Sequence, residues 1–120
     1  RIDKISAIEK NLIVMKIGFD LDGTCWEHRE LFIAIITGLK LQGHSVGIVT
    51  AHNKASYPAD MDLWKKRGFP EVNFYIAKGD EAKDIPTRDW KMSMCKGENI
   101  DFLFDDFDSG AISLVNISNK

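Results

Sequence analysis

Four short apolar runs punctuate the chain: KIGFD at 16–20, HSVGIVT at 44–50, EVNFYIA at 71–77 and IDFLFDD at 100–106. Each is too short for a helix, rich in β-branched or aromatic residues, and apolar continuously rather than alternately. That pattern belongs to strands buried on both faces. The segments between them carry helical spacing. In EHRELFIAIITGLKLQG, Leu31, Ile35 and Leu39 stack at four-residue intervals with Phe32 and Ile36 beside them, and Gly43 is placed to end the helix in a left-handed conformation. DMDLWKKRG reads as a short helix stopped by Gly68, and TRDWKMSMCKG as another, with Thr87 as N-cap and Gly97 as its stop. Strands that alternate with helices imply an α/β fold, a doubly wound, mainly parallel sheet covered on both faces.

At 120 residues the chain holds one core. Residues 15–120 read as a single domain and residues 1–14 as an N-terminal extension, in which Ile5, Ile8 and Leu12 could form one face of an amphipathic helix. Met15 could equally be the natural start. After Asp108 the remaining SGAISLVNISNK is too short for both a closing helix and a strand, which leaves a fifth strand open.

Open parallel sheets bind ligands at the carboxyl ends of their strands. Asp20 and Asp22 follow the first strand, Thr50 ends the second, and Asp105 and Asp106 end the fourth, so the order of the sheet gathers them at one edge. Four carboxylates there repel one another by roughly 4 kcal/mol per close pair at an effective dielectric of about 20. A hard divalent cation, Mg²⁺, relieves that repulsion through oxygen ligands and brings phosphate chemistry with it. Phosphoryl transfer then asks for a nucleophile, a proton shuttle, a hydroxyl and a cation, and Asp20, Asp22, Thr50 and a lysine supply them. Lys78, Lys83, Lys91 and Lys96 all lie in the right interval.

DLDGT, a strand ending in IVT, and a lysine ahead of FLFDD together resemble the haloacid dehalogenase (HAD) superfamily of phosphohydrolases, over essentially all of residues 16–110. The resemblance implies a HAD-like Rossmannoid core, with Asp20 as the nucleophile that forms an aspartyl-phosphate. It implies Asp22 as general acid and then base, Thr50 as a phosphoryl-binding group, and Asp20, Asp22, Asp105 and Asp106 around Mg²⁺. TRDWK ahead of a strand ending in two aspartates is similar to 5'-nucleotidase-like members and favours Lys91. The gaps on either side of Thr50 hold only elements the core itself needs, so the resemblance is to a member without a cap domain. With no cap, only Trp26 and the loop carrying Ala51, His52, Asn53 and Tyr57 can reach over a substrate. Aromatic rings there would favour a small phosphorylated substrate such as a nucleotide. Asp108 is placed either near the metal or in a turn.

The net charge of -2 gives no electrostatic basis for binding nucleic acid or an anionic membrane, and no run is long enough to span one. Cys25 and Cys95 fit neither a zinc spacing nor a disulfide framework and point to a reducing, cytoplasmic setting. A receiver domain shares the parts but wants its acidic pair after the first strand and a lone Asp in the middle of the sheet, whereas here the third strand ends in Ala77. A catalytically silent, HAD-like binding protein is the other alternative, although no essential group is missing.

Overall fold

The computed structural model describes residues 14–107 and 111–117. In chain order the elements are β1 (Lys16–Phe19), α1 (Arg29–Leu41), β2 (Ser45–Thr50), α2 (Tyr57–Lys66), β3 (Phe74–Ala77), α3 (Thr87–Gly97), β4 (Phe102–Asp105) and β5 (Ser113–Asn116). They form one sheet in the order β3-β2-β1-β4-β5. The first four strands run parallel, and β5 turns back antiparallel to β4, with Leu103 opposite Val115. The open question of a fifth strand after Asp108 is thereby answered: the described part of the tail supplies a strand antiparallel to β4. The turn expected at Asp108 and the helix expected through Ile5, Ile8 and Leu12 lie outside the described residues.

Both faces of the sheet are covered. On one, Ile17, Phe19, Val46 and Ile48 pack against Phe32 and Ile36 of α1 and Trp64 of α2. On the other, Val49 and Leu103 meet Trp90 and Cys95 of α3. Gly47 has no side chain because the Phe74 ring occupies that space; a Cβ there would lie 2.3 Å from the ring. Of the expected apolar face, α1 buries Phe32 and Ile36 fully and packs Ile35 and Leu39 partly buried against the same core, whereas Leu31 is 55% exposed. The aromatic ring decides this, because Phe32 sits edge-on to both Phe19 and Phe104, at 5.9 and 5.6 Å between centroids.

Helix ends also depart from expectation in instructive ways. Gly43 and Gly68 do end α1 and α2 in left-handed conformations. Thr87, however, is the first residue of α3 rather than its cap; Pro86 precedes it and no side chain caps the helix. Asn99, at φ 59°, takes the left-handed position after α3, which passes through Gly97. Between Asp22 and Thr50 lies only α1, and between Thr50 and Lys91 only α2, β3 and two single turns, so the described residues contain no cap domain. Among them no helix is long and apolar enough to cross a membrane.

Candidate functional site

The sheet winds one way from β1 through β2 to β3, then restarts on the other side of β1 with β4. The crevice between the carboxyl ends of β1 and β4 is therefore the switch point of the fold, the place where such sheets hold ligands. The Asp20 amide donates to the Phe104 carbonyl at 3.0 Å and fixes the end of β1 beside β4.

The chain then turns sharply. The amides of Cys25 and Trp26 donate to the carbonyls of Asp20 and Leu21, five residues back, at 3.2 and 2.9 Å. Leu21, Thr24 and Cys25 are buried beneath the turn while Asp22 stays at the surface. Gly23 is required twice over. Its φ of 81° suits a residue without Cβ, and a Cβ would sit 2.2 Å from Asp106 Oδ2. The Asp-Gly-Thr sequence thus makes room for a carboxylate that arrives from β4.

Lys91 sits at the centre. It is 4% exposed, and its Nζ donates to Asp20 Oδ1 at 2.7 Å and to Asp105 Oδ2 at 2.5 Å. The other candidate lysines stay out of this crevice: Lys83 and Lys96 are exposed, and Lys78 lines a separate groove. Asp20 Oδ2 also accepts from the Thr24 hydroxyl at 3.2 Å, and Asp105 Oδ1 accepts from the Phe107 amide at 2.8 Å. Burial pushes the Asp20 carboxyl up to about 6, against the opposing pull of Lys91. Burial alone would lower Lys91, but Asp20 and Asp105 outweigh it and hold the ammonium charged beyond its ordinary range.

Both members of the acidic pair reach the cleft: Asp105, buried at the end of β4, anchors Lys91, and Asp106, just past the strand, is half-buried. Oxygens of Asp20, Asp105 and Asp106 lie within 4.8 Å of one another. When ionised they carry three negative charges against the two on Lys91 and on Arg88, which lines the same cleft. An all-carboxylate donor set with that surplus suits a hard divalent cation such as Mg²⁺. The expected fourth ligand, Asp22, is not in this group. Its backbone is extended, its side chain lines the same cleft, and its Oδ2 meets His52 Nε2 at 2.6 Å.

The cleft itself has a volume of about 230 Å³. Of the sequence candidates, the structure brings Asp20, Asp22, Ala51, Lys91, Asp105 and Asp106 to its walls. Thr50 lies one residue below the rim, 1% exposed, its hydroxyl accepting from the His52 amide at 3.2 Å. Asn53 is occupied in its own loop: Oδ1 accepts from the Ala55 amide and Nδ2 donates to Asp80 at 2.6 Å. Trp26 is not brought to the cleft. Its ring packs against Trp64 and Phe69, each 6.0 Å away, with the Arg67 guanidinium over it. The walls also include Thr87, Arg88 and Phe107, which sequence reasoning missed. Arg88 was legible in principle, since it precedes Lys91 by three residues and shares its helix face. Its guanidinium lies 4.7 Å from the Phe107 ring. Cys25 and Cys95 are free and buried, and burial raises both thiols far above the range in which thiolates form.

No family model matches the chain, and no curated protein or solved structure matches it either.

Proposed function

We propose that this chain is a capless haloacid dehalogenase-type phosphohydrolase, which cleaves a phosphate monoester through an aspartyl-phosphate with the help of Mg²⁺. The observation that carries the proposal is the buried Asp20–Lys91–Asp105 bridge at the sheet's switch point, with Asp106 within reach of the same cation position.

On this reading an Asp20 oxygen attacks phosphorus and the bond from phosphorus to the leaving oxygen breaks. Asp22, at the rim of the cleft, gives that oxygen its proton and releases an alcohol. Water then attacks the phosphorus of the aspartyl-phosphate. Asp22 takes the water's proton, the bond to Asp20 breaks, and inorganic phosphate leaves with Asp20 restored. Lys91 holds Asp20 in line and offsets its charge, and Arg88 is placed to meet a phosphate oxygen from the open side. Asp20 and Asp106, with Asp105 behind them, would hold Mg²⁺, which supplies neutralisation of the phosphoryl charge. The aromatic surface expected from Trp26 comes instead from Phe107, so a nucleobase, if the substrate has one, would rest there.

The test is release of inorganic phosphate from p-nitrophenyl phosphate, nucleoside monophosphates and sugar phosphates, with Mg²⁺ and with EDTA. Turnover that needs the metal and falls roughly 10³-fold or more in Asp20→Asn supports the proposal. No phosphate release from any ester, or full turnover by Asp20→Asn, would overturn it.

A further inference from the structure

His52 has no part in the steps above, yet its ring is held at both ends. Nδ1 lies 2.8 Å from Asp60 Oδ2 and Nε2 lies 2.6 Å from Asp22 Oδ2. A carboxylate only accepts, so wherever Asp60 and Asp22 are ionised the ring nitrogens facing them donate. Burial by itself would favour the neutral ring, but the hydrogen bonds to Asp60 and Asp22 outweigh it and raise its pKa.

The two ends differ in kind. Asp60 is 9% exposed, in the first turn of α2 where the helix dipole favours a carboxylate, and the Tyr75 hydroxyl of β3 donates to the same Asp60 oxygen at 2.6 Å. The backbone of the His52 loop is pinned as well: its amide donates to Thr50 Oγ1, and its carbonyl accepts from the Lys78 amide at 3.1 Å. Asp22, in contrast, has a side chain 70% exposed. A fixed anchor therefore reaches out to an otherwise loosely held carboxyl at the lip of the cleft.

We propose that His52 is a positioning residue: fastened by Asp60 and Tyr75, it grips Asp22 through Oδ2 and presents Oδ1 to the leaving oxygen. The inference rests on the phosphohydrolase reading. It gives the Asp60–Tyr75 pair a purpose, gives Thr50 a share in the site through the His52 amide, and makes leaving-group protonation the step that depends on His52.

The experiment compares kcat/KM for an alkyl phosphate, whose leaving oxygen needs a proton, with that for 2,4-dinitrophenyl phosphate, whose leaving group does not. Because kcat/KM extends only through the first irreversible step, later hydrolysis of the aspartyl-phosphate does not enter. His52→Ala should lose roughly 10- to 100-fold on the alkyl ester and less than about 3-fold on the dinitrophenyl ester. His52→Gln, whose amide can donate from nearly the position of Nε2, should regain much of the alkyl rate. Equal losses on both esters would mark His52 as merely structural and overturn the proposal while the phosphohydrolase reading stands. No loss on either ester would do the same. A parent protein with no activity on any ester would overturn both. Independently of turnover, NMR couplings should report one χ1 rotamer for Asp22 in the parent and averaging in His52→Ala; averaging already present in the parent overturns the proposal.

Discussion

Asp20→Asn should make the metal-free protein more stable, and the gain should depend on pH. Asp20 is 5% exposed and its carboxyl titrates at about 6 in the fold, against 3.8 for an ordinary aspartate. The sign follows from that order. The folded state binds the Asp20 proton more tightly than the unfolded chain does, so the contribution of Asp20 to stability is intact below pH 3.8 and is lost as pH rises through about 6. At about 1.4 kcal/mol per pH unit, the ionised carboxylate costs about 3 kcal/mol at pH 7.5 and about 1 kcal/mol at pH 4.5. Asparagine mimics the protonated form. Its oxygen can accept from Lys91 and its amide can donate to Thr24, whose hydroxyl turns to accept, so neither hydrogen bond made by Asp20 is abandoned.

Urea unfolding in EDTA, followed by far-UV circular dichroism, measures the difference at both pH values. The variant should be ahead by about 3 kcal/mol at pH 7.5, a rise of roughly 10 °C in Tm, and by about 1 kcal/mol at pH 4.5. Adding Mg²⁺ at pH 7.5 should narrow the gap, because the parent gains a ligand set that the variant has weakened. A variant less stable than the parent, or a gap that is the same at both pH values, would refute the reasoning. A less stable variant would mean that Lys91 more than offsets the burial of Asp20, and an equal gap that the two just cancel.

Asp106→Asn should shrink the rise in Tm caused by Mg²⁺ while leaving metal-free stability equal to or above the parent's; differential scanning calorimetry with and without Mg²⁺ reads both. Lys91→Met should destabilise the fold by roughly 3–5 kcal/mol at neutral pH, because it strands Asp20 and Asp105 with no countercharge, and the loss should ease as the pH is lowered toward 4. Gly23→Ala should cost on the order of 1–3 kcal/mol and abolish the Mg²⁺ response, since the methyl group both strains a φ of 81° and displaces Asp106. Trp26→Ala should lower stability by about 2 kcal/mol and reduce turnover of a nucleotide and of p-nitrophenyl phosphate alike, in keeping with a ring that packs on Trp64 and Phe69.

What could be seen in the sequence was whatever is encoded by neighbours along the chain. The apolar runs located β1 to β4, and the rule that ligands sit at strand ends brought Asp20 and Asp105 together before any geometry was known. Lys91 was distinguished from three other lysines only by its motif, because its burial depends on how α3 crosses the sheet. Other features depend on packing that no local pattern carries. Two overlapping stripes on α1 fit equally well until Phe19 and Phe104 choose Phe32. Trp26 follows the Asp-Gly-Thr turn whether it faces the cleft or the core, and Trp64 and Phe69, about forty residues away, settle the matter. The contact of Asp22 with His52, thirty residues on, is likewise carried by no local pattern. The convergence of Asp105 and Asp106 on one cleft was not readable from strand alternation, because Asp106 lies just past the end of β4.

On the proposed reading, Lys91 and the divalent cation have different duties in this cleft, and the geometry explains why. Lys91 is buried, bonded on both sides, and offsets Asp20 and Asp105 in every state of the protein. On the proposed reading, Asp106 shares the cation position with Asp20, and the charge that arrives there can come and go. A second lysine in place of the divalent cation would stabilise the empty protein and would fill the space that a phosphoryl group must enter. A site that keeps one carboxylate too many is thus less stable when empty and selective for a ligand that brings its own positive charge. That imbalance falls on the seam between β1 and β4, where the Asp20 amide and the Phe104 carbonyl join the two strands. On the proposed reading, Mg²⁺ should therefore slow amide exchange at Asp20 and Phe107 more than at β3, two strands away. Uniform slowing across the sheet would instead mean that the metal stabilises the fold globally, with no link between this seam and the cleft.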